Sequence, residues 1–331
     1  MRRREFLILA LGVGACERAK PELAARDDAP ELPTAAPAPA PASPLGSLDD
    51  IPAVLRPAFS LTGHAPPPRS VTASGEPPQS FAEFLAEHPP RPRPDARTIA
   101  ILPIGEYPRG FVVEYDAVRL VRSPEPELLA RFISAWFGLP TTILPAMTDE
   151  PLERLPAREL DGRRQLDAAA LLEWVRQRRP ADATCVVALT LEDLYAEDAA
   201  WVFGYASVDK RVGVHSMLRY DPGFDDTEAR GPAFEATIRA RALRVLAHEV
   251  AHMFGLRHCV HFHCLMNATA GIADIDRAPL HLCPVCLRKL WVVSGVSLVE
   301  RWQRLAELCD ELEQPQECAW FDACLRLLGV G

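Results

Sequence analysis

The sequence carries no surplus of positive charge. Its 36 Lys and Arg are outnumbered by 45 Asp and Glu, for a net charge of −9, so nothing electrostatic favours nucleic acid as a partner. It shows no self-similarity at the roughly 20–50-residue period of solenoids and propellers. Its N-terminal apolar run, Phe6–Ala15, is far too short for a bilayer, which takes about 20 apolar residues. What remains is ordinary globular composition, with 48% hydrophobic and 24% charged residues in 331. That is enough to bury a core in one large domain or two smaller ones. A soluble monomer is the default expectation.

Proline and cysteine are the exceptions. The 32 prolines crowd into the first third of the chain, and four of the nine cysteines, Cys259, Cys264, Cys283 and Cys286, fall within 28 residues. That spacing reads as metal binding before it reads as disulfides.

Residues 1–16, MRRREFLILALGVGAC, have the basic, apolar and small-residue succession of an export signal. Val13-Gly14-Ala15-Cys16 resembles the lipobox of bacterial lipoproteins, which implies cleavage before Cys16, lipidation of its thiol and a membrane anchor. Arg3-Arg4-Glu5-Phe6-Leu7 resembles a twin-arginine core, whose machinery carries folded proteins. Residues 17–48, rich in Pro and Ala, favour extended conformations and read as a disordered tether. A Pro-rich extension, 49–96, contains one short helical candidate, Phe81–Leu85. The expected location is a bacterial cell envelope, or the cytoplasm if the signal is not used. The main domain is expected over 97–331.

Within that domain, Thr98–Ile104, Thr141–Leu144 and Cys185–Leu189 are strand candidates. Glu125–Phe137 and Gln165–Arg179 show helical periodicity between them. The alternation predicts an α/β layer with parallel pairing. Trp201–Ala206 and Val212–Leu218 follow as two close strands at a sheet edge. Phe234–Phe254 is the longest helical stretch, and Gly255 suits a left-handed cap. Ser297–Gly331 reads as two helices.

The chemistry lies at the end of the long helix, in HEVAHMFGLRH over residues 248–258. Positions four apart share a helix face, so His248 and His252 can aim at one ion. Gly255 turns the chain and His258 returns as a third ligand. Three protein nitrogens leave a zinc ion the open fourth position of a catalytic site. Zinc acidifies water there, and Glu249, one residue round the helix, is placed to take its proton as general base. The cysteines, as C-x₄-C…C-x₂-C, read as a closed second zinc site; two disulfides are the alternative. The predicted cofactors are two Zn²⁺, one catalytic and one structural.

HExxHxxGxxH running into C-x₄-C-x-M…C-x-x-C resembles the archaemetzincins, metzincin-clan zinc peptidases with a second, cysteine-bound zinc. Leu102–Gly105, Thr190–Tyr195 and Trp201–Ala206 are similar too. The resemblance spans about Gln79–Leu290. It implies an α/β (α+β) fold, with a mixed sheet flanked by helices, an active-site helix, and a cysteine-zinc lower subdomain with C-terminal helices. It also implies that Met266 forms the Met-turn, that Val212–Leu218 is an edge strand along which an extended substrate pairs, and that peptides or proteins are the substrates. A non-catalytic, zinc-stabilised peptide-binding module is the competing function, and the intact Glu249 argues against it. Twin-arginine export of a zinc-loaded chain would protect the thiolates outside the cytosol.

Other polar candidates carry blander readings. Cys185 reads as a small hydrophobe in a core strand. Cys309, Cys318 and Cys324 can supply one disulfide, whose pairing spacing does not choose. His261, His263 and His281 lie near a site that four thiolates already fill. His215, Tyr205 and Tyr220 could stabilise a tetrahedral intermediate but read as half-buried strand residues.

Overall fold

The computed structural model describes residues 7–11, 43–69, 71, 77–105, 112–115, 118–121, 124–197, 199–224 and 234–330. Cys16 and most of the tether lie outside the described residues. The strands are β1 (Leu7–Leu11), β2 (Thr98–Pro103), β3 (Val112–Tyr115), β4 (Val118–Val121), β5 (Thr141–Ile143), β6 (Ala157–Leu160), β7 (Arg163–Asp167), β8 (Ala183–Thr190), β9 (Asp193–Ala196), β10 (Ala199–Ser207) and β11 (Val212–Ser216). The α-helices are α1 (Phe81–Ala86), α2 (Pro126–Phe137), α3 (Ala168–Arg176), α4 (Phe234–His252), α5 (Ile272–Arg277), α6 (Pro284–Ser294), α7 (Leu298–Glu307), α8 (Cys309–Leu312) and α9 (Pro315–Leu327).

One mixed sheet runs in the order β5-β2-β8-β11-β10-β9-β7-β6. Its β5-β2-β8-β11 half is parallel, as the strand–helix alternation requires. β8 is buried along its whole length, which is why ATCVVALT reads as a near-continuous apolar run rather than an alternating one. Separate cores cover the two faces. Leu171, Leu172 and Val175 of α3 pack on one; α2 and α4 pack on the other through Phe132, Trp136, Leu246 and Val250.

Two expectations are corrected. Gln165–Arg179 is not one helix: Arg163–Asp167 is a strand, and α3 begins only at Ala168. Asp167 is its N-cap, accepting from the amides of Ala169 and Ala170 at 2.8 and 3.1 Å. Val212–Leu218 is not an edge strand. β11 is flanked by β8 and β10 and is buried at every residue. Both sides of β10 are taken as well, one by β11 and the other by β9 and β1. β9 pairs with β10 only from Ala199 to Val202, and alongside Trp201–Ala206 the partner strand is β1, antiparallel.

The Pro-rich extension packs on the C-terminal half. Phe59 and Phe84 are fully buried, and Arg288 of α6 donates to Leu45 O and to the Asp50 carboxylate. The C-terminal segment is three helices rather than two, because a short α8 turns the chain between α7 and α9. The Cys309–Cys318 disulfide bridges that turn, with 5.7 Å between Cα atoms, and Cys324 stays free. Among the described residues no helix is long and apolar enough to cross a membrane.

Candidate metal centre and active site

The last two turns of α4 are buried on every side, between the sheet and the loop that follows. At the helix end Gly255 adopts φ +86°. Its amide bonds to His252 O at 2.8 Å and that of Leu256 to Ala251 O at 3.3 Å, a Schellman-type cap. A Cβ at Gly255 would lie 3.2 Å from Pro89 Cβ and 3.4 Å from Pro90 Cδ, so a side chain there would press on the two prolines as well as strain the turn.

This turn brings His258 back beside His248 and His252. The His258 ring lies 5.2 Å from that of His248 and 4.9 Å from that of His252. His248 Nδ1–H donates to Leu265 O at 2.9 Å, and His252 Nδ1–H donates to Leu256 O at 2.6 Å. A carbonyl only accepts, so both rings carry the Nε2 lone-pair tautomer, the arrangement that serves a metal. The two Nε2 atoms are 2.9 Å apart. Each histidine offers a ligand atom within 4.8 Å of the others. Burial pushes the His248 pKa down to about 3, helped by His258, and depresses His252 strongly too. All of this keeps lone pairs available, and the three histidines could hold one metal ion.

Glu249 is 1% exposed, and neither carboxylate oxygen meets a hydrogen-bond partner among the described residues. Burial lifts its pKa to about 8, towards the operating range of a general base. Its carboxylate lies against Gly204 of β10, a residue that sequence reasoning missed. A Cβ there would come within 2.7 Å of Glu249 Cδ and 2.9 Å of Oε1.

Across the ladder from Gly204 is His215. Its Nε2 lies 3.0 Å from Tyr220 Oη. Both side chains are fully buried, not half-buried as expected. Burial takes His215 down to about 3, and burial with the nearby Glu249 charge raises Tyr220. Beside His248 a small apolar indentation, with a cavity volume of only about 10 Å³, is lined by Arg244, Val245, Leu265, Thr269, Ile275 and Ala278.

Cys259, Cys264, Cys283 and Cys286 converge as a second buried group, their sulfurs within 4.8 Å of one another. None of the four forms a disulfide. Cys259 and Cys283 Sγ are 3.6 Å apart, which suits thiolates each about 2.3 Å from a shared tetrahedral ion. Hydrogen bonds from the other thiols hold Cys259 well below the ordinary thiol range, while burial pushes Cys264 up. Asn267, also missed from sequence, ties the loop: Oδ1 accepts from Cys264 N at 2.9 Å, and Nδ2 donates to Cys259 O at 2.6 Å. Met266 is fully buried, and its carbonyl accepts from Cys259 N at 2.6 Å. His261, His263 and His281 join neither group. His281 bonds Glu317 and stacks on Trp320 at 4.1 Å. Cys185 is a buried thiol pushed up to about 12.

Two outcomes follow from Glu249. Gly204→Ala should displace its carboxylate and lower kcat at least about 10-fold, with zinc content unchanged; in a Glu249→Gln background the same substitution should cost nothing further. The second concerns stability in the metal-free protein. A carboxyl held above its ordinary value of 4.5 weakens the fold as pH rises from there through about 8, because the unfolded chain ionises first. The depressed histidines act oppositely, weakening the fold as pH falls below 6.5. Glu249→Gln should therefore raise the metal-free Tm far more at pH 8 than at pH 5, as read by calorimetry.

Residues 169–291 match the model of peptidase family M54. Archaemetzincin-2 of Macaca fascicularis is 30% identical, covering 73% of this chain and 72% of its own, and the Homo sapiens protein matches equally. Human archaemetzincin-1 is 33% identical over 51% of this chain and 39% of its own. The crystal structure of archaemetzincin from Archaeoglobus fulgidus, complexed with malonate, is 24% identical, covers 58% of this chain and 99% of its own, and has a TM-score of 0.42. The chain belongs to the archaemetzincin family and is a zinc metallopeptidase, a hydrolase.

Proposed function

We propose that His248, His252 and His258 hold the catalytic zinc, that Glu249 is the general base for peptide-bond hydrolysis, and that Cys259, Cys264, Cys283 and Cys286 hold a second, structural zinc. The observation carrying this is the convergence of buried imidazoles whose Nδ1–H groups are already committed to backbone carbonyls. When bound, zinc supplies Lewis acidity and lowers the pKa of water. Glu249 accepts the proton of the attacking water and can pass it to the leaving amine. Its dry surroundings keep the carboxyl basic enough for both transfers. An extended substrate pairs as an antiparallel strand with Trp201–Ala206, in the place that β1 holds here and that cleavage before Cys16 would vacate.

A pure binding module would gain nothing from burying an unpartnered carboxylate at the centre of its site. Glu249→Gln should lower turnover at least about 100-fold while leaving peptide binding and zinc content intact; unchanged turnover would remove the base from the mechanism. Zinc per chain, by elemental analysis, should fall from two in the wild type to one in Cys283→Ser, with the histidine-bound ion kept.

We also propose that the protein is exported to a bacterial cell envelope and anchored through Cys16. The N-terminal signal pattern supports this, as does the Cys309–Cys318 disulfide, a bond that persists in oxidising compartments. In cells fed labelled fatty acid, the wild type should take up label and Cys16→Ser should not. An unlabelled wild type would sink the anchor.

A further inference from the structure

The third histidine stands outside the helix, on a turn whose position α4 alone does not fix. That turn is gripped by the Pro-rich extension. Gln79 is 1% exposed, and its amide is used on both sides. Nε2 donates to Gly255 O at 3.2 Å and to Glu87 Oε2 at 2.9 Å. Oε1 accepts from the backbone amide of Arg257 at 3.0 Å and from Lys289 Nζ at 3.0 Å. Gln79 O also accepts from Lys289 Nζ.

The grip continues along the segment. Glu87 pairs with the Arg257 guanidinium at 3.2 Å, and Pro89 and Pro90 close over Gly255. Gln79 is held in turn by its neighbours. Ser80 caps α1, accepting from Glu83 N at 3.2 Å while Glu83 Oε2 accepts from Ser80 N at 2.6 Å, a capping box. Lys289 is itself 1% exposed and lies on α6, one turn beyond Cys286. One buried amide thus binds the turn before His258 on one side and the helix of the cysteine pair on the other.

We propose that Gln79 is a positioning residue for the zinc ligand His258, so that the extension is part of the catalytic metal site. The inference rests on the zinc assignment made above. Arg257 N–H and Gly255 O flank the turn that delivers His258, and with both tied to one planar amide the ligand loses its freedom to swing away from the ion. Removing a group that orients a ligand costs about 10–100-fold in metal affinity.

The test uses the full zinc-loaded chain and Gln79→Met, which keeps the volume and loses every side-chain hydrogen bond. Zinc release to EDTA is followed beside thiol reactivity, which reports the cysteine site separately. We expect histidine-site zinc to leave at least about 10-fold faster, with thiols still protected and the fold intact by circular dichroism. Release at the wild-type rate would overturn the proposal. So would equal loosening of both sites, which marks a general structural role. Should Gln79→Met fail to fold, Gln79→Glu keeps the side-chain length and the acceptor for Arg257 N–H and Lys289 but loses the Nε2 donor to Gly255 O and Glu87. Faster histidine-site release there supports the proposal and unchanged release overturns it. Zinc absent from the wild-type histidines would overturn the metal assignment itself, a result distinct from zinc bound and released unchanged.

Discussion

Two backbone carbonyls, Leu256 O and Leu265 O, aim the imidazoles of His252 and His248. A ring that donates from Nδ1 has its Nε2 direction fixed, so the convergence of the proposed ligands depends on where those oxygens stand. Leu256 is four residues beyond His252 and is placed by the turn at Gly255. Leu265 is seventeen residues beyond His248 and is placed by the loop through Met266 and Asn267. That loop also carries Cys259 and Cys264, so the two buried donor groups share one backbone. An ion closing the four thiols, as proposed, would steady the carbonyl that orients His248.

Glu249 is the costly element of this arrangement. A carboxylate without partners in a dry site opposes folding at neutral pH, yet the same burial gives it the basicity its proposed role requires. The fold makes room for it only because β10 carries no side chain at Gly204.

Much of this was legible in the chain itself. The apolar run of β8, the periodicity of α2 and α4 and the motif over 248–258 are local patterns, and local patterns survive without coordinates. The helix misread over Gln165–Arg179 failed because Asp167 can cap a helix or end a strand, and only the pairing of β7 with β9 decides. The edge assigned to Val212–Leu218 failed for a related reason: strand order is a long-range property that no local run encodes. Gln79, Gly204 and Asn267 left no signal, because a glutamine, a glycine and an asparagine are ordinary residues until a partner stands opposite.

The sequence by itself therefore determined the candidate donor residues, the helix carrying two of the histidines, the strand–helix alternation and the family resemblance, since fixed spacing on a helix or in a short loop sets geometry directly. The tertiary structure alone decided the order of the strands, which cysteines pair as Cys309–Cys318, how Glu249 is buried against Gly204, and that residues 77–90 hold the turn before His258. Each of these depends on contacts between residues far apart in the chain. Gln79 and Arg257, 178 positions apart and 3.0 Å apart in the fold, are the clearest instance.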